Sequence, residues 1–380
     1  MADAFLGIVF GSLLVGAAGH GALVSPRSRN SVDYMVGVNV PAHWPADREC
    51  TNITGGPCNN GQAAFWYSQG CFFGCEECDH LSGRRQTDLC NSGMVGPLRP
   101  EYRSVNRNST PGSPQDIYKH NPWRAPGQAP VGDSCGLAGG TPWLPEVGEA
   151  GVYTATKYAH HGMHGTQLKP LEDGMPPVVW KIGGQAQVTW QLENNHGGGY
   201  SYRLCPADEP LTEECFQKHQ LDFVQDQQGV VLKNGTVVPI KGTFVTEGTY
   251  PAGSMWSMLP VPADWLGPRC LPGTKDTKDT PNACEDWEHH NVDGPCKPCP
   301  ETPGSDCSRC DNGPSPAFPA PYPGFVGCDH HHAIKDMVKV PSNLKPGRYV
   351  LNWRWDCEAT AQVWENCADI VLEAAASVVV

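Results

Sequence analysis

The chain has few long apolar runs: beyond the opening segment Phe5–Ala18, nothing approaches the ~18–20 residues a membrane-spanning helix needs, so the mature protein is expected to be soluble. Positive charge is also scarce, with 27 Lys and Arg against 40 Asp and Glu and a formal net charge of −13. That balance argues against nucleic acid and anionic membrane as partners, and leaves an uncharged polysaccharide open. Helical periodicity is nearly absent, which sets a helical bundle aside. No pair of acids stands out at motif level, whereas a glycoside hydrolase needs two carboxylates about 5–9.5 Å apart.

What is present is glycine (43), proline (36) and 18 cysteines. Short segments alternate with period two. In Tyr349–Asp356, Tyr349, Leu351, Trp353 and Trp355 share one face, while Asn352, Arg354 and Asp356 share the other. Val178–Lys181 and Gln185–Glu193, joined through Gly183 and Gly184, read as a hairpin-like pair, with further strands at Tyr200–Leu204 and Ala368–Glu373. Short strands between long loops rich in Gly, Pro and Cys imply an all-β sandwich with disulfide-rich loops.

The first nineteen residues have the form of a secretory signal peptide, with Ala17 and Gly19 at the −3 and −1 positions of a cleavage site. Cleavage after Gly19 leaves His20 first, so its α-amino and ring nitrogens can close on one metal ion. With ordinary pKa values of about 7.7–8.0 and 6.5, neither nitrogen is costly to deprotonate near neutral pH. A third nitrogen would complete a T-shaped set, the tetragonal, nitrogen-rich geometry that Cu(II) prefers. The candidate is His196, which follows a strand at once and precedes Gly197, Gly198 and Gly199. Glycines there allow a close approach of the backbone.

An even cysteine count behind a signal peptide points to an oxidising compartment and mostly disulfides. Asn52, Asn108 and Asn234 head glycosylation sequons, in keeping with export. Cys50, Cys58, Cys71, Cys75, Cys78 and Cys90 crowd one loop-rich region. A second group, Cys270 to Cys310, marks an insertion at about 268–312. There Cys296-x2-Cys299 and Cys307-x2-Cys310 have zinc-site spacing, although a disulfide-stapled loop suits the compartment better. His160, His161, His164 and the run His330–His332 read as surface histidines rather than a cluster. Trp44, Trp66, Tyr67 and Trp123 either stack on sugar rings or cover a thin core.

Four places, His20-Gly21 with Pro26-Arg27-Ser28-Arg29, the block ending Cys78-Asp79, Asn195-His196-Gly197-Gly198, and Gln362-x-Trp364-x2-Cys367-Ala368-Asp369, occur in the order seen in lytic polysaccharide monooxygenases. The chain resembles that family over residues 20–370, nearest to its auxiliary-activity family fifteen type. The resemblance implies an immunoglobulin/fibronectin-like β-sandwich over 20–380, a single copper ion per chain, and a "histidine brace" of His20 and His196. It gives Gln362 a role beside oxygen species and places Trp364 at the axial position, where relatives carry Tyr or Phe. An indole nitrogen only donates and cannot ligate copper, which leaves Trp364 as a steric cap or a redox-active neighbour. The implied activity is secreted, extracellular oxidation of chitin or cellulose at C1 or C4 by a monomer, using an external reductant and O2 or H2O2. The other reading is a secreted copper- or carbohydrate-binding protein without turnover.

Overall fold

A computed structural model describes residues 20–33, 65–73, 120–143, 153, 155, 158–172, 176–194, 196–231, 237–260, 332–358 and 360–375. The crowded cysteine loop apart from Cys71, the 268–312 insertion, Trp44, the three sequon asparagines and His330–His331 lie outside the described residues.

Two antiparallel layers form an all-β sandwich. The first has the order β1 (His20–Ser25), β5 (Gln185–Asn194), β12 (His332–Lys339), β8 (Gln228–Val231) and β9 (Val237–Ile240). The second runs β10 (Phe244–Val245), β11 (Trp256–Met258), β6 (Gly199–Pro206), β13 (Gly347–Asp356), β14 (Gln362–Glu373), β2 (Trp66–Gln69) and β3 (Leu137–Ala138). Two short strands lie off that path: β4 (Val178–Lys181) runs parallel to β14, and β7 (Gln220–Leu221) pairs with β6.

Period-two alternation explains the core. Tyr349, Leu351, Trp353 and Trp355 of β13 and Tyr200, Tyr202 and Leu204 of β6 turn inward to meet Val188 and Trp190 of β5 and Ile334 of β12. Large aromatic rings bury about 150–250 Å² each, which suits a thin sandwich with little helix to cover it. Trp66, Tyr67 and Trp123 are all buried, so of the two readings of these rings the core-covering one holds and sugar stacking does not.

The opposite faces of β13 and β14 are not solvated either. Arg354 bonds the Asp356 carboxylate at 2.7 Å, and Arg203 grips Glu213 with both terminal nitrogens. Glu213 opens α1 (Glu213–Gln217), which the Cys205–Cys215 disulfide pins over this face. A second disulfide, Cys135–Cys367, ties the loop before β3 to β14.

The expected hairpin at Gly183-Gly184 does not form. β4 joins the second layer beside β14 while β5 enters the first, so the turn carries the chain between layers. The backbone explains this: Ile182 N–H donates to Glu373 and Gly183 N–H to Val340, in different layers, rather than both to β5. β14 also begins six residues before the expected Ala368, at Gln362.

Candidate metal centre at one end of the sandwich

β1 lies antiparallel to β5, with His20 opposite Asn194 and Gly21 opposite Leu192, one of its two irregular steps falling between His20 and Gly21 and the other between Leu23 and Ser25. β5 ends at Asn194, and His196 follows two residues later. The strand register therefore brings the His20 backbone beside the segment that carries His196.

That segment is held tightly. The carbonyls of His196, Gly197 and Gly198 each accept one hydrogen bond, from Glu358 N–H (3.3 Å), the Trp355 indole N–H (2.8 Å) and Leu259 N–H (2.8 Å). Gly198 has φ of +88°, and a Cβ there would lie 2.1 Å from the Asp356 carbonyl oxygen, so no other residue fits without a shift. Three donors from two parts of the chain, the end of β13 and the residue after β11, fix the backbone, which is what a ligand platform requires. The His196 ring is buried, with the Trp355 ring edge-on to it at a centroid distance of 6.3 Å.

The other two expected residues reach the same end. Cys357 N–H donates to the Gln362 carbonyl, one residue from the Glu358 that bonds His196. The Gln362 side chain is engaged at both ends: its amide nitrogen donates to Gln69 Oε1 at 2.7 Å, and its oxygen accepts from Thr360 at 3.0 Å. Trp364 is fully buried, stacked on Tyr67 with centroids 4.3 Å apart, and 6.1 Å from Trp355. Gly140, at φ of +79°, lets its turn lie against the Tyr67 ring, where a Cβ would come within 2.2 Å.

Among the described residues, the histidines at 160–164 do not form a cluster. His161 is fixed by accepting from Tyr153 N–H at Nδ1 and donating from Nε2 to the Trp143 carbonyl at 2.7 Å. Burial lowers its pKa, with the Trp143 carbonyl opposing. His164 faces Asp133, whose carboxylate also holds Thr166 and Cys135 N–H. Among the described residues, no group of three or more His, Cys, Asp or Glu side chains is disposed to hold a metal ion.

Two buried polar groups escaped sequence reasoning. Behind the site, burial pushes the Glu365 carboxyl up and the Glu213 charge adds to this, while Arg203 and Arg354 outweigh burial at Glu213 and hold it near 2. In the core, Asp336 accepts from Tyr200 and Tyr202 hydroxyls and from Gln228 Nε2, at 3.0, 2.8 and 2.7 Å. Burial lifts it to about 6 against those three bonds. The alternation of Asn352, Arg354 and Asp356 was a signal for the first network; a single Asp among Ile334, Met337 and Val338 was none for the second.

The fold and this end of it define an antiparallel β-sandwich with a histidine-bearing edge. Over 214 residues the chain is 26% identical to an "AA13 family lytic polysaccharide monooxygenase A" of Pyricularia oryzae, covering 55% of this chain and 46% of the relative. The chain thus spans about half the length of the curated relative it matches. No family model matches. Among solved structures, a chitin binding domain from Burkholderia pseudomallei overlaps 94% of this chain and 100% of its own at 12% identity and a TM-score of 0.34. A Thermobia domestica lytic polysaccharide monooxygenase AA15 in the Cu(I) state overlaps 93% and 99% at 14% identity and 0.30. The sequence similarity is to lytic polysaccharide monooxygenases in general, not to family fifteen in particular.

Proposed function

We propose that this chain is a secreted, copper-dependent oxidase of β-1,4-linked polysaccharide such as chitin or cellulose, cutting by hydrogen abstraction at C1 or C4. The observation that carries it is the pairing of His20 with Asn194, two residues before a rigidly held His196. The donor set fits copper: two imidazoles and, once the chain is cut after Gly19, a terminal amine make three nitrogens. His20 and His196 would hold one ion per chain. When bound, copper supplies one-electron chemistry with O2 or H2O2, fed by an external reductant.

The chain's own residues do the rest. The three bonds to residues 196–198 hold His196 in place, so the site needs little reorganisation on loading. Trp355 anchors Gly197 and shields the buried side of His196. Trp364, whose indole cannot ligate, would stand behind His196 through Trp355, with Tyr67 stacked against it, as a steric or redox-active neighbour of the ion. The family-fifteen likeness of the motifs and the family-thirteen name of the relative both lie within this reading, as does export as a single 20–380 domain acting as a monomer.

A second reading, copper or carbohydrate binding without turnover, draws on Gln362: its amide is bonded to Gln69 and Thr360 instead of facing an open position. One experiment separates the two. Protein processed to His20 is loaded with one equivalent of Cu(II), its EPR spectrum recorded, and products from chitin and cellulose with ascorbate analysed by mass spectrometry. The expected result is nitrogen hyperfine structure that His196→Ala abolishes, together with oxidised oligosaccharides. Copper binding without oxidised products selects the second reading, and an unchanged spectrum in His196→Ala removes the brace.

A further inference from the structure

Asn121 precedes a single 3-10 turn, Pro122–Arg124, the place where an asparagine side chain ordinarily caps free N–H groups. It makes no such bond. Its Nδ2 instead donates to the Glu358 carbonyl at 2.8 Å, 237 positions along the chain, and Asn121 is buried there. Two residues on, Trp123 N–H donates to the Cys357 carbonyl at 3.1 Å. The Trp123 ring lies on Gly199, where a Cβ would come within 2.4 Å of it. Gly199 has no room for a side chain, which accounts for the third glycine after His196.

From there the chain returns along the outer face of β13 as a strap. Gly127 N–H donates to Asp356 Oδ2 at 2.7 Å, the Arg354 guanidinium to the Ala129 carbonyl at 2.8 Å, and Asn352 Nδ2 to the Ser134 carbonyl at 2.6 Å. These are alternate residues of one strand, the polar face that alternation marked in the sequence. The next residue, Cys135, is joined to Cys367 of β14.

We propose that Asn121 is a positioning residue for the candidate metal centre, holding His196 in place through the Glu358 peptide, with the strap from Asn121 to Ser134 as its support. That His196 would ligate copper rests on the proposed function; the coupling of Asn121 to the His196 backbone does not.

Glu358 turns its carbonyl to Asn121 and its N–H to the His196 carbonyl at 3.3 Å, so one residue connects the two. The second contact is long, since N–H···O bonds ordinarily lie near about 2.9–3.0 Å, and it depends on the turn being held from elsewhere. Cys357 N–H closes the turn on itself by donating to the Gln362 carbonyl, whereas the carbonyls of Cys357 and Glu358 accept from the strap. Removing the Asn121 amide takes the donor from a buried carbonyl, a change worth roughly tenfold or more in the population of the closed turn. A metal ligand must stand within about 0.2 Å of its bonding distance. Loosening too slight to disturb the sandwich is therefore large at His196.

The test uses the full chain processed to His20, the variants Asn121→Ala and Asn121→Asp, and Cu(II) alone as probe. Hydrogen exchange at the Glu358 amide is measured by NMR in copper-free protein, then the Cu(II) dissociation constant and EPR spectrum on loading. Both variants are expected to exchange the Glu358 amide and to release Cu(II) roughly tenfold more readily, with altered nitrogen hyperfine structure, while the amides of β12 keep their native protection. If Asn121→Ala does not fold, Asn121→Asp keeps the volume, lacks the donor and carries the comparison. Val338→Ala, a core change at the opposite end of the first layer, is expected to lower overall stability without changing Cu(II) affinity, which separates positioning from general weakening. Native exchange at Glu358 in both Asn121 variants, or faster exchange with unchanged Cu(II) affinity, overturns the assignment. Native protein that binds no Cu(II) overturns the copper reading instead, and exchange at Glu358 still decides the coupling.

Discussion

Asp336 is a carboxyl group held by two phenols and an amide with no cation among its bonded partners. Its folded-state pKa of about 6 stands above the ordinary 3.8, because burial disfavours the charge more than three hydrogen bonds favour it. The folded chain therefore binds its proton more tightly than the unfolded chain does. Stability is highest below the unfolded pKa, falls as pH rises through the folded one, and levels off above it. The gap between the two values corresponds to about 3 kcal/mol. Denaturant titrations between about pH 4 and pH 7 are expected to show this decline, and Asp336→Asn, which cannot ionise, to flatten it. At this scale the sequence singled out His20 and His196 as candidates, because the form of a cleavage site and a histidine followed by glycines are local patterns. Asp336 was not, since its three partners lie on β6 and β8, more than a hundred residues away along the chain.

Among the elements, α1 and the loop before β3 are secured by covalent links of very different span. Cys205–Cys215 closes a separation of 10 residues and Cys135–Cys367 one of 232. On the chain-entropy account the short loop contributes about 3 kcal/mol and the long one about 5 kcal/mol. Replacing Cys135 and Cys367 by Ala is expected to lower the denaturation midpoint more than the same change at Cys205 and Cys215, measured by chemical unfolding under non-reducing conditions. The shorter link has a local role besides. Losing it frees α1 and with it Glu213, which neutralises Arg203 and Arg354 against the outer face of β6 and β13. Strand positions were legible from alternation, but partners were not: Val178–Lys181 and Gln185–Glu193 read as a hairpin-like pair and lie in separate layers. A two-glycine turn is compatible with either outcome, and only the competing hydrogen bonds of Glu373 and Val340 decide it.

For the whole molecule, the segment at His20–Ser25 and β5 of the first layer become neighbours. His20 pairs beside Asn194, so copper bound by both histidines would bridge β1 to the end of β5. A ligand that binds only the folded state raises stability by RT ln(1 + [L]/Kd), about 2.7 kcal/mol at a hundredfold excess over Kd. Protein beginning at His20 is expected to melt higher when one equivalent of Cu(II) is added. Protein that retains Gly19, whose amine is displaced from His20, should gain markedly less in the same calorimetric scan. Equal gains would show that the terminal amine is not a ligand.

The amino-acid sequence by itself determined the class of architecture, since alternation of aromatic and polar residues is a property of neighbours and survives without a fold. It also marked the candidate histidines, because the form of a cleavage site and a run of glycines are written locally. Tertiary structure alone decided which layer each strand joined, that His20 and His196 share one end of the sandwich, and that the chain from Asn121 to Ser134 lies along β13. These depend on register between segments far apart in the chain, and register is settled by the joint packing of two faces.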